Sequence, residues 1–141
     1  MKKSYLSILA VLMITGCASP THMLNKEGSI PFVGGELVHD RGVDNLLVLE
    51  APDRRYEARG FAVERHTHMA ELRKRYYGVN QKHWQRIMSG LDNDHVTYTA
   101  ETVVKSADGQ EISCRLMWRA GGSPAGLCTD QSGTILQVRF E

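Results

Sequence analysis

Over residues 111–119, Ile112, Cys114, Leu116 and Trp118 alternate with Ser113, Arg115 and Met117. A period of two predicts a strand with one buried face. Over 96–104 the residues Val96, Tyr98, Ala100 and Val104 keep the same phase. Between these runs stands Ala107-Asp108-Gly109-Gln110, whose residue types make turns, so the pair predicts a hairpin. Gly121-Gly122-Ser123-Pro124 marks the next turn, and a strand through 126–129 returns beside its predecessor. Asp130-Gln131-Ser132-Gly133 then leads into 135–140, with Leu136, Val138 and Phe140 in phase.

The first third also predicts strands, at 35–39, 45–50 and 55–65. Within the last, Tyr56 and Ala58 are even while Phe61 and Val63 are odd, and Gly60 sits at the slip, which predicts a β-bulge. The middle changes period. Met69, Leu72 and Tyr76 follow helical spacing up to Gly78, and Asn80 is placed to cap a second helix carrying Trp84, Ile87, Met88 and Leu91. The fold class expected is α+β, mainly β: an antiparallel meander or partly open barrel with two short helices inserted mid-chain.

The amino terminus is patterned differently. Lys2 and Lys3 precede an apolar run from Tyr5 to Ile14. As a helix its ten residues rise about 15 Å, against the roughly 30 Å of a bilayer core, so the run reads as an export signal. It ends in Ile14-Thr15-Gly16-Cys17, which resembles the lipobox of bacterial lipoproteins. The resemblance implies cleavage before Cys17, a diacylglycerol on its thiol and an acyl group on its new amine. Because Ala18 rather than Asp follows, it also implies transport to the outer membrane, and the location expected for the lipid-anchored chain is the periplasmic face of that membrane. The expected organisation is a signal peptide over 1–16, a lipidated cysteine and flexible tether over 17–30, and a single β-rich envelope domain over 31–141. As a whole the chain resembles small Gram-negative envelope lipoproteins, a class that carries no particular activity with it.

An exported chain meets an oxidising compartment, so Cys114 and Cys128, the pair left after Cys17, are expected to form a disulfide. The 141 residues carry 17 Lys and Arg against 16 Asp and Glu. Removing 1–16 takes away Lys2 and Lys3 and no acid, so the mature domain is close to neutral and nucleic acid is not an expected partner. The charge is uneven. Residues 65–86 hold six basic side chains and one acid, Glu71, on an otherwise acidic domain.

Three strings bear on chemistry. His66-Thr67-His68-Met69 combines imidazole and thioether, which suits copper or another late transition metal. On a strand His66 and His68 share a face. If the 55–65 strand continues, that face points to solvent, and exposed histidines at a strand end explain the string equally well. Asp92-Asn93-Asp94-His95 lacks the full calcium loop and fits a turn. Arg73, Lys74, Arg75, Tyr77, Lys82 and Arg86 form a basic, aromatic stretch suited to an anionic surface or an acidic partner. No serine, cysteine or carboxylate stands in a catalytic motif, and no cofactor is implied. The expected function is a non-enzymatic, membrane-anchored module that binds an envelope component or protein partner. The alternatives are transition-metal binding through His66 and His68, and inhibition of lysozyme.

Overall fold

The computed structural model describes residues 19–39, 44–68 and 95–141. The chain runs as an antiparallel meander of nine strands: β1 (Thr21–Met23), β2 (Gly34–Val38), β3 (Leu46–Ala51), β4 (Arg54–Arg59), β5 (Val63–Thr67), β6 (Val96–Ser106), β7 (Glu111–Arg119), β8 (Ala125–Asp130) and β9 (Ile135–Arg139). Each pairs with its sequence neighbour, except that β4 and β5 divide the length of β6 between them. The sheet curls into a half-barrel until its two ends touch at an isolated bridge between Leu24 and Phe140. Met23 and Glu141 exchange backbone hydrogen bonds beside that bridge, at 3.2 and 2.8 Å.

Alternation decides which side chains face inward. Leu37, Leu47, Leu49, Val104, Leu116, Cys128 and Val138 lose all exposure, and Tyr56, Ala58, Ala100, Ile112 and Phe140 pack around them. Burying each large aliphatic chain contributes about 1.5–3 kcal/mol, which makes this inner face the main source of stability. β6 and β7 pair over nine residues from Thr97↔Arg119 to Lys105↔Glu111. The Cys114–Cys128 disulfide is present, joining directly opposed residues of β7 and β8 whose Cα atoms are 4.0 Å apart.

The predicted strand over 55–65 is two strands. Tyr56 and Glu57 oppose Ser106 and Lys105, whereas Val63 opposes Ala100. Six steps along one strand thus face five along the other, which is the one-residue excess of a bulge. Gly60 takes a positive φ of 72°, a conformation that L side chains rarely adopt. The fully buried Asn45 holds the break, with its Nδ2 donating to the Phe61 carbonyl at 2.6 Å.

A second correction concerns the tether expected over 17–30. Thr21–Met23 is a strand, Lys26–Gly28 is a 3-10 turn, and Leu24 and Ser29 are buried. The Ser29 hydroxyl accepts from the Arg139 backbone N–H at 2.9 Å. Its partners are β2 on one side and residues 139–141 on the other, so the segment is ordered by tertiary pairing and not by any pattern of its own. The two helices expected after Met69 lie outside the described residues.

Candidate binding site at the open end of the half-barrel

One row of inward positions crosses three strands. Arg65 on β5 faces Tyr98 on β6, and Tyr98 faces Trp118 on β7. Tyr98 and Trp118 lie ring against ring, with centroids 5.6 Å apart and planes 30° apart. Such aromatic cross-strand pairs strengthen a sheet. The row beneath runs Val63, Ala100, Leu116, Gly126 and Val138, and of these Val63 reaches the cavity. Gly126 has no side chain because a Cβ there would collide with the carbonyl oxygen of Arg115.

Two histidines complete the wall. His22 on β1 stands opposite Leu37, which places it diagonally across from His39, one residue past β2. Their ring planes lie within 6°, their centroids are 5.2 Å apart, and their Nε2 atoms are only 3.1 Å apart. Parallel rings whose nitrogens approach so much closer than their centroids meet edge to edge, not face to face. The contact is a hydrogen bond in which one Nε2–H donates and the other Nε2 accepts. His39 also leans on Trp118, with centroids 5.0 Å apart and planes at 54°.

These residues surround a cavity of about 660 Å³ that also touches Pro20, Val63 and the turn at Ala120, Gly121 and Gly122. Trp118 is nearly buried, His22, His39 and Tyr98 are half-buried, and Arg65 is exposed at the rim. Among the described lining residues Arg65 holds the only formal charge, and none is acidic. Aromatic faces with a few polar groups are the ordinary make-up of a small-molecule site. This one offers flat apolar walls, a guanidinium fork for an anion, and a histidine pair that both donates and accepts.

The residues singled out by the sequence are distributed otherwise. His66 projects from the outer face of β5, and His68 follows one residue past its end on the same side. The His66 Nε2 hydrogen-bonds the Thr99 hydroxyl and the His68 Nε2 that of Thr97, both at 2.7 Å. Glu64 lies 3.7 Å from His66, and among the described residues no group of three metal-ligating side chains forms. Cys17, Arg73, Lys74, Arg75, Tyr77, Lys82 and Arg86 lie outside the described residues. For the cavity residues Tyr98 and Trp118 the sequence pattern indicates only core-facing strand positions. Arg65 carried the usable signal, a cation in phase with Phe61 and Val63 on the inward side. The pairing of His22 with His39 depends on strand order and left no mark in the local sequence.

Carboxylates at the opposite end serve the turns. Asp108 accepts from the Ser106 hydroxyl and from Arg54, whose Nη2 is 2.9 Å away, and these bonds hold its carboxyl below the ordinary aspartate value. Asp130 is held down likewise by the Ser132 hydroxyl and by the Thr134 and Ser132 backbone N–H groups. No family model, no curated protein and no solved structure matches this chain.

Proposed function

We propose that this chain is a lipoprotein of the bacterial cell envelope, held through Cys17 on the periplasmic face of the outer membrane. Its half-barrel acts as a non-enzymatic binding module for an envelope component. The observation that carries the binding reading is the cavity of about 660 Å³ walled by His22, His39, Tyr98 and Trp118, with Arg65 at its rim. The lipobox Ile14-Thr15-Gly16-Cys17 supports the anchorage, and a disulfide between Cys114 and Cys128 suits an oxidising compartment. The basic residues Arg73, Lys74, Arg75, Lys82 and Arg86, with the aromatic Tyr77, belong to the same reading as contacts for an acidic partner. The segment that carries them leaves from His68 and returns at His95, two residues bonded N to O at 3.0 Å.

Native mass spectrometry of the mature chain, made in the periplasm with Cys17→Ser, tests the binding module. A co-purifying envelope molecule that is lost in an Arg65→Ala/Tyr98→Ala double variant of unchanged circular dichroism is the expected result. A ligand-free spectrum, with no thermal shift on adding envelope extract, would sink it. The unsubstituted protein should carry acyl mass on Cys17, and a bare Cys17 there rules out the anchorage. A second reading, transition-metal binding, is favoured by the shared outward face of His66 and His68. A copper or zinc adduct in the same spectra that vanishes in His66→Ala/His68→Ala would establish it, and uptake by the double variant would remove it.

A further inference from the structure

We infer that the cavity opens onto the membrane and that its ligand is the headgroup of an anionic phospholipid in the bilayer that holds the protein. This inference rests on the anchorage at Cys17 proposed above. Pro20 lines the cavity and also immediately precedes β1. Its carbonyl accepts from the His39 backbone N–H at 3.1 Å, so the chain is fixed to the rim at that point. Cys17 stands three residues earlier, and three fully extended residues span at most about 10 Å. A headgroup layer is itself roughly 5–8 Å deep. The rim therefore stays at headgroup level, and the turns at 106–110 and 130–134 form the end directed away from the membrane.

The lining suits that depth. Tryptophan and tyrosine favour the membrane interface, where one edge of the ring is wet and the body is apolar. Aromatic walls alone would equally accept a quaternary ammonium group. Arg65 decides between the two. It is exposed at the rim, and among the described residues its guanidinium bonds only the Thr67 hydroxyl, at 3.5 Å, and no carboxylate pairs with it. A phosphate diester fits the guanidinium fork. The glycerol and first methylenes then lie against Trp118, Tyr98 and Val63.

The test uses Trp84→Phe, which leaves Trp118 as the one tryptophan of the two in the chain. The lipidated protein is placed in phosphatidylglycerol or phosphatidylcholine vesicles with brominated acyl chains. Trp118 emission should be quenched, and more strongly in phosphatidylglycerol. For the unlipidated Cys17→Ser chain, Arg65→Gln should weaken binding to phosphatidylglycerol vesicles roughly fivefold, the worth of one basic side chain near an anionic surface. Arg115→Gln, on the outer face of β7, should leave it unchanged. An anchored protein whose Trp118 is not quenched overturns the inference. Soluble glycerol phosphate that shifts Trp118 emission as fully as vesicles do would make a free phosphate ester the ligand and overturn the membrane source. Absence of acyl mass on Cys17 overturns the anchorage and this orientation with it, whereas the Arg65 dependence in the unlipidated chain reads the ligand chemistry separately.

Discussion

One alternation builds both ends of the half-barrel, and the two ends use it differently. Toward the turns at 106–110 and 130–134 the inward residues are Leu49, Tyr56, Val104, Ile112, Cys114 and Cys128, all buried in a single cluster. At the opposite end they are His22, His39, Arg65, Tyr98 and Trp118, around a cavity of about 660 Å³. Strand pairing continues through both, so backbone geometry does not explain the difference. Side-chain chemistry does. A leucine or valine can be closed over without loss, whereas an imidazole edge, a phenol hydroxyl or a guanidinium must keep water or a partner. Among the described residues, a sheet that ends in such groups leaves a cavity where they stand, and the closed end supplies the stability that this end lacks.

The largest effect should come from breaking the packed row. Leu116 is fully buried between Ala100 and Gly126, and Leu116→Ala should cost about 2–5 kcal/mol in denaturant unfolding. A loss below about 1 kcal/mol would mean that the packed row between the two ends is less tightly filled than its burial indicates. Next comes the disulfide, which closes a loop with a sequence separation of 14. Replacing Cys114 and Cys128 by Ala should lower stability by about 3 kcal/mol in the chain-entropy model. The same loss should follow reduction of the native protein, measured by urea midpoint with and without reductant.

The two ends also differ in how far they can be read from the chain. Glu111–Arg119 is a strand over its expected bounds because Ile112, Cys114, Leu116 and Trp118 repeat the pattern four times, and each repeat is independent evidence of a buried face. Gly60 was legible for a similar reason, since a change of apolar phase has few physical causes. Thr21–Met23 is three residues long, too short for a period to register, and its partners come from β2 and from Glu141. The open end suffers most from this. Tyr98, Trp118 and Arg65 have readable inward phases, but nothing local says that they share a row with one another. The His22–His39 contact spans 17 residues and exists only because β1 lies beside β2. Local pattern specifies faces, and the site is made by the order in which faces are brought together.

A substitution at the open end should separate stability from binding. His39→Ala removes one half-buried ring and its hydrogen bond with His22, so unfolding should change by only about 0.5–1.5 kcal/mol. Binding of phosphatidylglycerol vesicles, the probe of the proposed ligand, should fall more steeply, because His39 also braces Trp118. Calorimetric titration beside thermal melting checks both numbers on one preparation. Equal losses in the two would make the histidine pair a packing feature and return the open end to the same class as the closed one.

The smallest expected effect is an acid response confined to the closed end. The turns there are held by Asp108 and Asp130, whose carboxyls are kept below the ordinary value of 3.8 by hydroxyl and backbone donors and, for Asp108, by Arg54. A carboxylate that takes up its proton less readily in the folded chain stabilises the fold above that ordinary value. The contribution is lost as pH falls through 3.8 toward the lower folded value, because the unfolded chain then binds the proton first. Asp108 is exposed and Asp130 half-buried, so solvent screens the effect and the slope should be shallow. The open end's turn at Ala120, Gly121 and Gly122 contains no carboxylate and should contribute nothing to it. Hydrogen exchange at stepwise lower pH, corrected for its intrinsic rate, should therefore lose protection first at Gly109 and Gly133, whose N–H groups bond Ser106 and Asp130, and later at Gly122. Asp108→Asn and Asp130→Asn should flatten the acid slope. Unchanged slopes in both would place the acid-sensitive groups elsewhere and remove the turns from the contrast between the two ends.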